Sequence, residues 1–235
     1  MRMLKAGLVL SWLCLALTCG QAWADTQTIL GVKFDLRDAI DSARRTLFVT
    51  ATEGPASLDT IEGDPTIAGA TLRVIARNAT TVYDQSFDLP APGWKATFKL
   101  HDWPVYAGFR YVNTVTGGPV KQVIFKRSGF ASPEGTPPPE DPAPGIFRIK
   151  VGMTARFGPI DVLPPNPGTE AGIILTLGNG DSYCVGFTAA DAEILANTDR
   201  RFTIRRPTSE SCPTGAGTTS TTSSTSTTTS TTTLP

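Results

Sequence analysis

Apolar and polar residues alternate with a period of two along most of this chain. Thr46-Leu47-Phe48-Val49-Thr50, Thr71-Leu72-Arg73-Val74-Ile75, Val120-Lys121-Gln122-Val123-Ile124-Phe125 and Ile146-Phe147-Arg148-Ile149-Lys150-Val151 are rich in β-branched residues. Such runs predict half-buried strands, because successive side chains of a strand point to opposite faces. Ile173 to Leu177 and Phe202 to Ile204 add two more. Turn residues fall between them. Asn179-Gly180-Asp181 favours a tight hairpin, since Asn and Gly accept positive φ, and Thr116-Gly117-Gly118-Pro119 marks another turn. Two stretches carry helical character, Arg37 to Arg45 and Ala189 to Ala196. Both are too short to organise a fold. The pattern predicts an all-β chain, an antiparallel β-sandwich of Greek-key type.

One stretch interrupts the strands. Ser132 to Gly145 holds six prolines with Glu134, Glu140 and Asp141, a stiff polar connection. It reads as a linker between 25–131 and 146–213, or as a long crossover between the two sheets of one sandwich. The second piece is small for independent stability, which favours one domain over 25–213. Asp64-Pro65 and Asn166-Pro167 each lead through Ala-Gly into a strand. Two turns using the same chemistry account for this echo.

The ends have a different composition. Met1 to Lys5 is basic, an apolar run follows to Leu17, and Ala22-Trp23-Ala24 supplies small residues at a cleavage position. This is the pattern of a secretory signal peptide over 1–24, and the apolar run is too short to span a bilayer. The other end, from Thr218 to Thr233, is Ser or Thr at every position. Such a tract has no apolar surface to bury, so 214–235 is expected to be a disordered, O-glycosylated stalk. The predicted setting is extracellular or cell-surface.

Export changes the cysteine and charge arithmetic. Cys14 and Cys19 leave with the signal, and Cys184 and Cys212 remain to form one disulfide in an oxidising compartment. The whole chain has 21 bases and 21 acids; cleavage removes Arg2 and Lys5 and no acid, which leaves a net charge of −2. That balance argues against nucleic acid or an anionic membrane as partner.

Catalytic signals are weak. His101 is the one histidine, so a histidine-clustered zinc site is excluded and a Ser-His-Asp triad would have to use it. Gly180-Asp181-Ser182 resembles the nucleophile block of GDS-type esterases, but the downstream histidine of those enzymes has no counterpart here. Asp35, Asp38 and Asp41 recur every three residues, without the spacing of an EF-hand loop. No cofactor or metal is expected. The aromatic cluster Trp94, Trp103, Tyr106, Phe109 and Tyr111 offers a binding surface, with Trp94, Trp103, Tyr106 and Tyr111 as candidate ligand-binding residues. Exposed in a row, such rings stack on sugars; turned inward, they are sandwich core.

Several local patterns together resemble a loose group of uncharacterised secreted bacterial proteins. They are Asp64-Pro65-Thr66-Ile67-Ala68-Gly69, Gly93-Trp94-Lys95, Pro119-Val120-Lys121, Tyr183-Cys184-Val185 with Phe187, and Cys212-Pro213 leading into a Thr/Ser tail that ends Thr-Leu-Pro. The resemblance implies a β-rich extracellular domain, and it supplies no catalytic residue. The expected function is a secreted, non-catalytic module with a structural, adhesive or binding role, its partner an extracellular glycan or surface protein. The alternatives are a carbohydrate-binding module using Trp94, Trp103 and Tyr106, and third a hydrolase built on a pair of carboxylates.

Overall fold

The β-branched runs form strands, and the strands form two packed sheets. The computed structural model describes residues 26–53, 61–97, 100–101, 103–104, 108–113, 117–129 and 145–214. The expected signal peptide and the Ser/Thr tract lie outside these residues. In chain order the strands are β1 (Thr26–Thr28), β2 (Gly31–Arg37), β3 (Thr46–Thr52), β4 (Ala70–Arg77), β5 (Val82–Leu89), β6 (Trp94–Ala96), β7 (Leu100–His101) and β8 (Trp103–Pro104). There follow β9 (Gly108–Val112), β10 (Val120–Gly129), β11 (Gly145–Thr154), β12 (Glu170–Leu177), β13 (Ser182–Thr188), β14 (Glu193–Thr198) and β15 (Arg201–Arg205). One sheet has five strands in the order β1-β13-β12-β4-β5, and the other has eight in the order β14-β15-β2-β3-β11-β10-β9-β6. Strands β7 and β8 make a separate ribbon. All pairings are antiparallel except β1 with β13.

A single apolar cluster fills the space between the sheets. Tyr183 from the smaller sheet lies between Phe125 and Phe147 of the larger, with ring centroids 4.5 and 5.5 Å away. Phe34 meets Phe187 across the same gap at 6.1 Å. These contacts define a β-sandwich, each sheet burying its inner face against the other.

Both sheets mix strands from before and after the proline-rich stretch. Strand β12 lies between β4 and β13, and β11 lies between β3 and β10. Strands β10 and β11, on either side of that stretch, are hydrogen-bonded neighbours from Val120↔Met153 to Gly129↔Gly145. Their connection is therefore a long hairpin within one sheet, which corrects the expectation of a linker or an inter-sheet crossover. Residues 130–144 themselves lie outside the described residues.

The two helical expectations are also corrected. Strand β2 runs on to Arg37, after which only a 3-10 turn, Ser42–Arg44, forms, capped by the Asp41 carboxylate. Ala189 to Ala196 leads into β14, an edge strand. A short α-helix, α1 (Pro65–Ala68), is capped by Asp64, whose carboxylate accepts from the Thr66 amide at 2.8 Å. A tight hairpin joins β12 to β13 as expected, but neither Asn179 nor Gly180 takes the positive φ anticipated for it; the Gly180 amide donates to the Leu177 carbonyl at 3.1 Å instead. A Cβ on Gly180 would come within 2.0 Å of the Glu62 carbonyl oxygen.

Candidate functional site

The aromatic cluster divides on folding. Trp94 opens β6 opposite Tyr111 of β9, and both rings turn into the sandwich, at 4% and 2% exposure. Their centroids are 5.4 Å apart, and the Trp94 Nε1–H donates to the Leu89 carbonyl at 3.1 Å. A ring with both faces covered cannot stack on a ligand, so Trp94 and Tyr111 are core residues and not a sugar platform. Trp103 pairs with His101 in the β7–β8 ribbon, and Tyr106 lies outside the described residues.

The carboxylates divide too. Asp35 of β2 is nearly buried and meets three cations: Lys33 at 3.2 Å, Arg37 at 2.9 Å and Arg201 at 3.1 Å. The Thr203 hydroxyl donates to it as well, at 2.9 Å. Burial by itself would raise its pKa, but the hydrogen bonds from Arg37, Arg201, Thr203 and Lys33 outweigh it and hold the carboxyl well below the usual range. Asp38 pairs with Arg45, Asp41 with Arg44, Asp84 with Arg73, Glu170 with Arg77 and Glu193 with Arg205. Carboxylates tied to arginine in this way favour an ion-pair role over general acid or metal-ligand work. Among the described residues no three His, Cys, Asp or Glu side chains come together as a metal site. Of the esterase-like block, Asp181 is buried and accepts from Gln27 Nε2 at 2.5 Å, while Ser182 shares a hydrogen bond with Thr176.

The strongest surface feature is the outer face of the eight-stranded sheet. Strands β6, β9, β10 and β11 contain no Asp or Glu at all. Core residues Tyr111, Val123, Phe125, Ile149 and Val151 fix which side faces in. The alternate positions then carry Lys95, Arg110, Lys126, Arg148 and Lys150 to the outer side. Register places them together. Lys95 is opposite Arg110, Arg110 opposite Ile124, Ile124 opposite Lys150, and Lys126 opposite Arg148. None of the five cations forms an ion pair with another described residue, in contrast to those around Asp35. The near-zero sum of charges thus hides a segregated basic face.

This face also has a floor. Phe48 of β3 points outward between Thr46 and Thr50, half-buried, and the Lys150 Nζ sits 5.4 Å from its ring centroid. Directly opposite Phe48 is Gly152, with Gln122 on its other side. A Cβ built on Gly152 meets nothing within 4 Å. The backbone there is not left-handed, so neither conformation nor packing demands the missing side chain. The result is an open notch beside an aromatic ring and a cation.

The opposite surface is fastened to the chain's C-terminal end. Cys212 is bonded to Cys184 of β13, with Cα atoms 5.1 Å apart, as the cysteine count predicts. On either side of that bond the strap crosses glycines. Ser211 lies over Gly186, Pro213 lies over Gly172, and Thr214 donates to Glu170 through its amide and, at 2.6 Å, its hydroxyl. Glu170 is tied in turn to Arg77 at 2.8 Å. The strap therefore runs from β13 across β12 toward β4, on the side away from the core.

The disulfide is legible in the cysteine count, whereas the basic face does not show in the strand pattern or the net charge. Its signal was present in two windows without acids, 103–133 and 142–160, each holding several Lys or Arg. No family model matches the chain, and neither a curated protein nor a solved structure matches it.

Proposed function

We propose that this chain is an exported, non-catalytic sandwich module that binds through the outer face of its eight-stranded sheet. The carrying observation is the strap. It ties Thr214, the last described residue before the Ser/Thr tract, to the outer side of the five-stranded sheet, the face opposite the basic one. A stalk attached at Thr214 has its point of attachment away from the eight-stranded face. The signal-like start, the disulfide and the arginine-tied carboxylates support the same reading.

The test is an array of extracellular glycans and surface polymers, probed with the exported chain captured by a tag on its tail. The expected result is capture without turnover of any bound polymer, lost when Lys150 and Arg148 are reversed to Glu. Turnover of a bound polymer would overturn the reading. So would capture that survives the reversal and is lost on disturbing the strap.

A further inference from the structure

We infer that the ligand of this face is an acidic polysaccharide, one whose sugar rings carry carboxylate or sulfate groups. The inference rests on the binding-module reading above and names its ligand class. Three observations carry it. First, the cations Lys95, Arg110, Lys126, Arg148 and Lys150 spread over four adjacent strands with no acid among them. At about 4.8 Å between strands, the array extends about 15 Å, enough for several linked sugars. Cations that make no ion pair with another described residue are available to external anions.

Second, the face is more than charge. Phe48 supplies an apolar ring surface, the Lys150 ammonium lies beside it, and Gly152 leaves the adjoining space open. Glycine inside a strand costs stability and marks a bulge or a close approach; β10 shifts register between Val120 and Gln122 opposite Gly152, yet a Cβ at Gly152 would still meet nothing within 4 Å. A sugar ring laid on Phe48 would fill the notch with its C–H face, and its acid group would meet Lys150 or Arg148.

Third, other polyanions fit less well. The large hydrophobic side chains that stand exposed among the described residues are Val32, Ile40, Ile67, Val82, Phe157, Ile194 and Leu195, and β6, β9, β10 and β11 contain none of them. Among the described residues the basic quadrant thus offers a membrane no apolar wedge to insert. Among the described residues Phe48 is the one aromatic ring placed on this face, a poor platform for a nucleic acid strand, whose binding relies on successive stacked bases.

The experiment is titration calorimetry of the exported full chain at two salt concentrations. The probes are polygalacturonate, chondroitin sulfate, neutral dextran, a poly-dT oligonucleotide and vesicles containing phosphatidylserine. Saturable binding of polygalacturonate or chondroitin sulfate, weakened by added salt, is expected, and the probe that binds tells carboxylate from sulfate. Lys150→Glu with Arg148→Glu should weaken it at least tenfold. Gly152→Val should do the same by filling the notch while the fold is kept, since its Cβ meets nothing and valine suits a strand. Circular dichroism and thermal melting check that each variant folds. Failure of both acidic glycans to bind would overturn the inference. Equal affinity in the Gly152→Val variant, or tighter binding of poly-dT or vesicles, would overturn it as well, leaving only an unspecific charged surface. Binding of dextran alone would sink the acidic ligand yet leave the module reading standing.

Discussion

Asp35 shows how one residue's surroundings decide its charge. Its carboxylate is 5% exposed and is shared by Lys33, Arg37 and Arg201, which approach from its own strand and from β15. Asp35→Asn removes the charge and leaves those cations facing one another. Breaking a buried ion pair costs about 3–5 kcal/mol, and the partial exposure of these cations puts the expected loss near the lower figure, about 3 kcal/mol. The pH dependence follows from the sign of the shift. A depressed folded pKa gives stability that is complete above the unfolded value of about 3.9 and is lost as pH falls through the folded value. Urea unfolding of the native chain and the variant should therefore differ most at neutral pH, with the gap narrowing progressively as pH falls below about 4. A gap that stays constant down to pH 2 would refute this account. None of this network was legible from spacing. Asp35, Asp38 and Asp41 look alike in sequence, yet strand β2 ends at Arg37 and sends the first to one sheet face and the others to a turn. The aromatics failed for a similar reason: alternation gives two faces, and only the partner sheet decides which one is buried.

At the level of elements, period-two runs marked the central strands well, because Leu47, Val49, Val123, Phe125, Ile149 and Val151 bury every second side chain. Edge elements were harder. Strand β14 is largely exposed on both sides, so Glu193 to Thr198 shows no alternation and resembles a helix start. The proline-rich hairpin misled because composition signals a break in regular structure and says nothing of which strands meet beyond it. The strap is an element that depends on small residues. Replacing Cys184 and Cys212 by Ser opens a loop of sequence separation 28, which costs about 3–4 kcal/mol in the chain-entropy model. The loss should also be local. The Thr214 amide, held by Glu170, should exchange its hydrogen much faster in the Ser variant, while amides of β12 slow to exchange remain the better protected. Equal acceleration at both places would show that the strap is not a separate unit. The hairpin offers a companion test. Gly180→Ala forces a methyl against the Glu62 carbonyl, so about 1–3 kcal/mol of destabilisation is expected in thermal unfolding, and an unchanged melting point would contradict the close approach.

At the scale of the molecule, net charge and charge distribution lead to opposite expectations. Residues 25–235 carry two more acids than bases, so an evenly charged body of that composition would pass through a cation exchanger at pH 7. The fold instead collects Lys95, Arg110, Lys126, Arg148 and Lys150 on one face. The outer side of the five-stranded sheet is different, mixing Thr71, Ser86 and Thr176 with the paired Arg73 and Asp84. A patch wider than the Debye length of about 10 Å at 0.1 M salt acts on a charged surface through its own field and not through the molecular sum. A chain of residues 25–235 should therefore be retained on a cation exchanger at low ionic strength despite its net negative charge. Two variants of equal net charge separate distribution from sum. Lys150→Glu changes the charge by two within the basic face, and Thr71→Glu with Ser86→Glu changes it by two on the other sheet. The first should abolish most of the retention and the second should leave it nearly intact. Equal losses would mean that the faces do not act separately, and elution of the unmodified chain in the void volume would remove the basic face as a surface able to capture anything.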